Sequence, residues 1–490
     1  MPTLYPDQVT GAAWLRERGR TALLADEYGF GKTAIECSSI DSGRPWLFVA
    51  PACIRYKIAD EIAMWRPGEW VPHFVESMGD FRWPRLREVV IVNRELLSST
   101  KGEVVRAKRE VKEAAKRPAN ELDFAKIERG ATAGKRLARA EKMMGAIDTP
   151  PPDGMHLSID ESHVYSGTNK LTDRMRMVVR ATLKVGGTVH GMTATPALND
   201  PGELLKMLTT LQLHKESFPG GWYEYLRVAG GLQGRFGILW GEPNDEKLAA
   251  HLRPVMLRRL LRDWREMPRL LPALTIAAEP DAAFRELAER GELELARRGV
   301  DLWAYLQEEG QRPKGGRETS AIAFEWLSRL GVALDVAKIP ATEKYVADLE
   351  RAGEPVLLGS SYAESVRHFG RRDGWASITG AESPRKRHEI MTDFARGKYR
   401  GVAGTIRSMG VGGDWTRAAH AVCTTIDWVP AWTNQWFART YRTGQTRDVQ
   451  PARVSTPHVL DGRRIAVEGR KLRFYEAIDA AAVRPEVAPC

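Results

Sequence analysis

At 490 residues the chain is too long for one compact core and suits two or three domains. Apolar residues make up 43% and charged residues 28%, a balance that excludes the disordered and membrane classes; no apolar run approaches the roughly 20 residues of a bilayer span, and Met1-Pro2-Thr3-Leu4-Tyr5 lacks a leader pattern, so a cytoplasmic protein is expected. Lys plus Arg number 73 against 63 acids, giving +10, which suits a polyanion partner without identifying one. The cysteines Cys37, Cys53, Cys423 and Cys490 lie far apart without metal-ligand spacing, so neither disulfides nor zinc is expected.

In chain order, Leu4-Tyr5-Pro6-Asp7-Gln8 precedes an amphipathic helix through Val9, Ala12, Ala13 and Leu15. The amide of Gln8 offers both a donor and an acceptor, which suits an adenine edge; without further motifs it reads as a helix cap. An apolar run at Thr21–Ala25 predicts a strand, and Asp26-Glu27-Tyr28-Gly29-Phe30-Gly31-Lys32-Thr33 then reads as a glycine-containing turn opening a helix. That geometry aims backbone N–H groups at phosphates. Gly29 and Gly31 permit close approach, Lys32 reaches the β- and γ-phosphates, and Thr33 places a hydroxyl on Mg²⁺. The pattern G-x-x-x-x-G-K-T is incomplete, because Asp26 occupies the first glycine position.

Strands are next predicted at Pro45–Val49 and Glu88–Val92. Between Lys101 and Met144 there are thirteen Lys or Arg against seven Asp or Glu and few large apolar residues, which reads as a solvated helical insertion or a DNA-touching arm. His156–Asp160 alternates as a strand and ends in Asp160-Glu161, an acid pair that in isolation is a solvated turn. After a Gly-Lys-Thr turn it becomes the expected partner: Asp160 holds the Mg²⁺, and Glu161 polarises the attacking water. A further strand is expected at Thr188–Thr193. From Leu204 to about Lys344 the pattern is largely helical, with turns at Pro219-Gly220-Gly221 and Pro313-Lys314-Gly315-Gly316. The alternation then returns, with strands expected at Pro355–Gly359, Ala376–Thr379, Gly401–Ile406, Ala421–Ile426 and Ala452–Ser455. Gln435, Arg439 and Arg442 are spaced i, i+4, i+7, which predicts one helix face. Trp415, Trp428, Trp432 and Trp436 read as packing rather than base-stacking residues.

Together these residues resemble the SWI/SNF-type ATPases of helicase superfamily 2. Tyr5-Pro6-Asp7-Gln8 is similar to the family's adenine-reading element, Asp26 to Thr33 to its phosphate loop, and Asp160-Glu161-Ser162-His163 to its Asp-Glu-x-His box. Gly191-Met192-Thr193-Ala194-Thr195-Pro196 resembles the motif that couples hydrolysis to DNA movement, and Arg253 to Arg259 the crossing into the second lobe. Gly404 to Gly413 resembles the glycine-rich DNA motif, and Gln435 to Gln445 the arginine-finger motif. Ala337-Lys338-Ile339-Pro340 looks similar to the fork-remodelling, annealing branch. Ser162, Asn93-Arg94 and Thr443 depart from the usual pattern, and the second leaves a DNA contact there open.

The resemblance implies an α/β fold of two RecA-like lobes, each a mainly parallel sheet flanked by helices, with helical insertions. The expected division is an ATP-binding lobe over 1–260 (basic insertion 101–150, helical protrusion 204–256), a helical linker over 261–345 and a second lobe over 346–490. It implies ATP and Mg²⁺ as cofactors, with catalysis by Lys32, Asp160, Glu161, Arg439 and Arg442, nucleotide contacts from Gln8, Gly29, Gly31, Lys32, Thr33 and Gln435, and Mg²⁺ on Thr33 and Asp160. Phosphate contacts on duplex or forked DNA, with weak sequence specificity, are expected from Arg55, Lys57, Thr193, Thr195, Thr405 and Ser408. The expected protein is a monomeric, nucleoid-associated translocase of a bacterium or infected host; a strand-separating DNA or RNA helicase and an ATP-switched regulator are the alternatives.

Overall fold

A computed structural model describes residues 2–76, 80–94, 134–135, 138, 149–234, 237–303, 316–410 and 413–485. Most of the basic segment 101–144, the turn residues 313–315 and the Val411-Gly412 pair of the glycine-rich motif lie outside the described residues. Among the described residues no helix is long and apolar enough to cross a membrane.

The apolar runs form two parallel sheets. The first joins β1 (Thr21–Leu24), β2 (Trp46–Ala50), β3 (Val71–Phe74), β4 (Glu88–Asn93), β5 (His156–Asp160) and β6 (Thr188–Met192). After a hairpin of β7 (Gly231–Gly234) and β8 (Gly237–Trp240), the short β9 (Met256–Leu257) completes it in the order β3-β4-β2-β5-β6-β1-β9. The second contains β10 (Leu274–Ala277), β11 (Val356–Ser360), β12 (Trp375–Ile378), β13 (Gly401–Thr405), β14 (His420–Cys423) and β15 (Gln450–Ser455), ordered β10-β15-β14-β11-β13-β12. Every residue of β1 and β2 is buried, as expected where helices cover both faces of a parallel sheet.

Helices α1 (Pro6–Arg18), α2 (Lys32–Ser39) and α3 (Arg55–Trp65) contribute Ala12, Leu15, Ile35, Ile58 and Ile62 to one apolar cluster with Trp46, Phe48 and Ile91 from the first sheet. In the second sheet, neighbouring residues divide between two clusters. Leu357, Val402 and Ala421 pack on one side, and Leu358, Ala403 and Val422 on the other, as the two-residue period of a strand requires.

The chain forms two compact units: residues 1–228, 245–260 and 479–490 make one, and 229–244 and 261–478 the other. Two features differ from the expected division. The stretch 261–345 contains β10, which pairs with β15 along its length, so part of it is sheet rather than linker. Residues 479–485 group with the first unit, because Asp479 accepts from Arg258 Nε and Nη2 at 3.0 and 2.7 Å and Val483 N–H donates to Arg258 O at 2.8 Å.

In the second unit, α4 (Gly316–Ala337) and α5 (Ile339–Arg351) meet at Lys338, which is 1% exposed. Its ammonium lies 2.8 Å from Asp461 Oδ2 and donates to Thr424 O at 3.0 Å. Asp335, one turn earlier, accepts from the hydroxyls of Ser360, Thr424 and Thr425 at 2.7, 2.8 and 2.6 Å. Buried polar side chains thus tie the helix junction to the ends of β11 and β14. Because removing the ammonium leaves buried Asp461 to the more distant Arg464, at 3.6 Å, Lys338→Met should lower stability by roughly 3–5 kcal/mol in urea unfolding. A loss below about 1 kcal/mol would show that Arg464 suffices as the counter-charge.

Candidate nucleotide-binding site

A parallel sheet brings the carboxyl ends of its strands to one edge, where α/β proteins place their ligands. In the first unit the loop 25–31 leaves β1 there, Asp160 and Glu161 close β5, and Thr193 and Thr195 follow β6. Gly29 and Gly31 have φ of 87° and 78°, a left-handed backbone that favours glycine. Gly31 is the residue before α2, so the first free N–H groups of that helix open beside Lys32 and Thr33. Lys32 Nζ donates to the loop's own carbonyls, Asp26 O at 2.8 Å and Glu27 O at 3.2 Å. Burial lowers its pKa to about 8, against the pull of Asp26, Glu161 and Asp160.

Asp26, in the position of the missing glycine, is fully buried. Arg259 Nε donates to Asp26 Oδ1 at 3.0 Å, and Nη2 to Oδ2 completes a bidentate pair. The same guanidinium donates to Asp7 O on α1 and lies over the Phe30 ring at 5.1 Å. A Cβ on Gly11 would come within 2.5 Å of Arg259 Nη2, so α1 is packed directly against the pair. Arg259 therefore fixes the start of the phosphate-type loop, the loop's aromatic residue and the first helix together. Sequence reasoning assigned it no role at the site; the signal was an acid standing where the loop pattern has glycine, which demands a buried counter-charge.

Burial, and then the Glu161 carboxylate beside it, raise the pKa of Asp160 to about 7. Glu161 itself has φ 50° and ψ 49°, a conformation uncommon outside glycine and typical of residues held under strain at sites. His163 Nδ1 lies 3.3 Å from Glu161 Oε2, 2.8 Å from Thr193 Oγ1 and 3.4 Å from Thr195 Oγ1. Thr193 Oγ1 also accepts from Thr195 N–H at 3.0 Å. The acidic box and the Gly191–Pro196 segment are thus joined through one imidazole.

Gln8 is 4% exposed, and its amide serves the protein. Oε1 accepts from Tyr5 N–H at 3.0 Å, Nε2 donates to Phe30 O at 2.9 Å, and a Cβ on Gly31 would meet that nitrogen at 2.5 Å. It braces the loop from behind.

No family model matches the chain. Two curated relatives are the proteins named DNA annealing helicase and endonuclease ZRANB3 from Mus musculus and Homo sapiens. The first is 23% identical over 486 residues, covering 96% of this chain and 40% of its own length; the second is 23% identical over 464 residues, covering 91% and 37%. Among solved structures, the Sulfolobus solfataricus SWI2/SNF2 ATPase core in complex with dsDNA aligns over 99% of this chain and 97% of that one, at 14% identity and a TM-score of 0.35. This chain is similar to the SWI/SNF-type ATPases of helicase superfamily 2. It spans about two fifths of the length of the curated relatives it matches.

The finger string departs from the expected single helix face. Helix α6 (Pro430–Phe437) contains Gln435, 2% exposed, and stops before both arginines. Its end is set by Thr440 Oγ1, which donates to Phe437 O at 2.8 Å, and by Trp415 N–H, which takes Arg439 O at 3.2 Å. Arg439 Nε then donates to Gly410 O at 2.8 Å, and Arg442 Nη1 to Gly413 O at 3.1 Å. Two motifs quoted separately from the sequence are thus one hydrogen-bonded assembly within the second unit. Trp415 and Trp436 are buried in its core, with Trp436 against the bare backbone of Gly359.

The expected DNA contacts divide by exposure. Lys57 is exposed and paired with Glu61 at 3.7 Å, while Thr195, Thr405 and Ser408 are half-buried, the last two joined Oγ1 to Oγ at 2.7 Å. Arg55 is buried on Val75 O at 2.7 Å, and Thr193 is buried on His163; in this structure both hold protein groups instead of facing outward.

Beneath the loop, one turn after Lys32, Glu36 is buried between β5 and β6. Its Oε1 lies 2.8 Å from His156 Nε2 and accepts from Ser158 Oγ at 2.5 Å, and its Oε2 lies 2.9 Å from His190 Nδ1. His156 Nδ1 meets Thr188 Oγ1 at 2.6 Å. Burial opposes the Glu36 charge, but His190 and His156 outweigh it and hold the carboxyl well below its usual range. Burial lowers His156 to about 4 against the pull of Glu36. Since the unfolded chain binds a proton on this residue near pH 6.5 and the folded chain does not, stability should be intact above that pH and fall as pH drops towards 4. The contribution is at most about 3 kcal/mol. Thermal melts across this range should show the decline, and His156→Gln should flatten it; equal slopes in both proteins would place the acid sensitivity elsewhere.

Proposed function

We propose that the chain is an ATP-dependent DNA translocase that hydrolyses ATP to move on duplex DNA and remodel DNA or protein–DNA complexes. The observation that carries this reading is the convergence of Lys32, Asp160 and Glu161 at one edge of the first sheet, next to a left-handed glycine loop opening a helix. The donor set fits a magnesium–triphosphate. Among the described residues the ammonium of Lys32 hydrogen-bonds only carbonyls of its own loop, and Asp160 is a half-buried strand-end carboxylate whose pKa is raised by desolvation and then by the Glu161 charge beside it. Bound Mg²⁺–ATP supplies the bond to be cleaved and the cation that offsets its charge.

In this reading the loop N–H groups with Gly29 and Gly31 seat the phosphates, and Lys32 neutralises them. Thr33 and Asp160 would hold the metal, and Glu161 would orient a water and accept its proton. His163 holds Glu161 in register with Thr193 and Thr195, so a change at the acid pair is felt in the Gly191–Pro196 segment. Arg439 and Arg442 stabilise the phosphoryl charge that develops during hydrolysis, a role taken from the family resemblance. Gripping of a DNA strand falls to exposed and half-buried groups, Lys57, Thr195, Thr405 and Ser408, which read phosphate rather than base. The names of the relatives, which describe annealing helicases acting on DNA, support the choice of nucleic acid.

Duplex DNA should stimulate ATP turnover more than RNA does. Lys32→Ala and Arg442→Ala should each cut stimulated turnover by roughly 10³-fold or more, the scale of losing a phosphate lysine or an arginine finger. Parental turnover in either variant would sink the site assignment, and preferential stimulation by RNA would favour the strand-separating alternative. Binding to duplex should also weaken steeply with added salt, because phosphate contacts release counterions.

A further inference from the structure

The first sheet has a second, opposite edge, where the strands begin. There the end of α1, the start of β1, the end of the helix α7 (Lys170–Lys184) and the segment 212–216, which runs into a short helix, border an open cavity of about 610 Å³. Its charged lining is Arg18, Arg20, Arg180, Lys184 and Glu216. Arg18 and Glu216 neutralise each other through a bidentate pair, both contacts at 2.9 Å, and Arg18 is further fixed on Thr21 O at 3.3 Å. Arg20, Arg180 and Lys184 have no ion-pair or side-chain hydrogen-bond partner among the described residues. Among the described residues, then, three uncompensated cations face a concavity whose one acid, Glu216, is already used.

We propose that this cavity is a second anion site, which takes a phosphate-bearing ligand through Arg20, Arg180 and Lys184 and is separate from the loop at Gly29–Thr33. Guanidinium groups match phosphate oxygens in a fork geometry, and the volume lies in the range of sites that enclose a nucleotide-sized molecule. Leu183 and Leu213 give the wall an apolar stretch against which the rest of such a molecule can lie. The surrounding field is positive: burial, then Lys215 and Arg180, lower the pKa of His214 beside the cavity. The site cannot be an extension of the loop, because the full length of β1, about 13 Å for four residues, separates the two edges of the sheet. The same chemistry could come from a free phosphorylated metabolite or from a nucleic-acid backbone.

The test uses the full chain carrying Lys32→Ala, which weakens phosphate binding at the loop, titrated with inorganic pyrophosphate by calorimetry. Adding Arg20→Ser, Arg180→Ser and Lys184→Ser should reduce the remaining affinity by roughly tenfold or more, as expected for three partly exposed charge contacts. Since all three side chains are exposed, circular dichroism and melting of the combined variant should match the parent. Pyrophosphate affinity unchanged by the triple substitution, or no binding in the Lys32→Ala chain, would overturn the proposal. AMP and a short blunt duplex then serve as competitors: displacement by AMP identifies a small phosphorylated ligand, displacement by duplex alone identifies a backbone contact, and displacement by neither counts against a phosphate-ester site. These outcomes do not depend on ATP hydrolysis, so failure of the translocase reading leaves the result interpretable.

Discussion

The ion pair of Asp26 and Arg259 is the constraint around which the first unit is arranged. Two charges with no solvent exposure are tolerated only when hydrogen bonds satisfy both, and here the guanidinium is shared between the Asp26 carboxylate and the Asp7 carbonyl while resting on Phe30. Such a pair contributes little to net stability, but it leaves the loop start a single position. It also explains why a strand of two residues exists. β9 must return to the sheet after the excursion through 229–244 in order to deliver Arg258 and Arg259 beside β1. Arg258 repeats the arrangement one residue earlier, donating to Ala25 O and Ala194 O at 2.6 and 2.9 Å and pairing with Asp479.

From that fixed loop the chemistry follows by short steps. Gly31 has no room for a side chain because Gln8 fills the space, so the loop backbone is held open toward α2. Glu36, on the same helix, is clamped to β5 and β6 by two imidazoles, which sets the height of Lys32 against the strand that ends in Asp160. The left-handed turn at Glu161 then directs its carboxylate toward His163. Each link is a buried polar contact rather than apolar packing. The cost of leaving any of them unmade makes the geometry specific.

Much of this was legible in the sequence, and what was missed has a common physical cause. Central strands announce themselves as apolar runs or as alternation, and the alternation of His156–Asp160 bounded that strand correctly. Besides the separate hairpin of β7 and β8, the strands that escaped, β3, β9 and β10, all lie at the edges of the two parallel sheets. Pro72 within β3 reads as a breaker, β9 is too short to carry a pattern, and β10 is largely exposed. The glycine loop and the acid pair were recognisable because chemistry dictates both residue type and spacing. Residue type did not reveal direction: Gln8, Arg55 and Thr193 turn inward to protein partners, and the helix before Arg439 ends early because Trp415 and Thr440 take its carbonyl and its last turn. Arg259 was invisible as a site residue because its partner is 233 positions away.

In the proposed function, the strand-end carboxylate and the loop lysine of the first unit together bind a magnesium–triphosphate. Calorimetric titration of the full chain with a non-hydrolysable ATP analogue tests it directly, with Mg²⁺ present and after its removal by chelation. The expected result is saturable binding at a single site that weakens sharply without Mg²⁺ and is lost in Asp160→Asn. Binding indifferent to both the metal and that substitution would contradict the account.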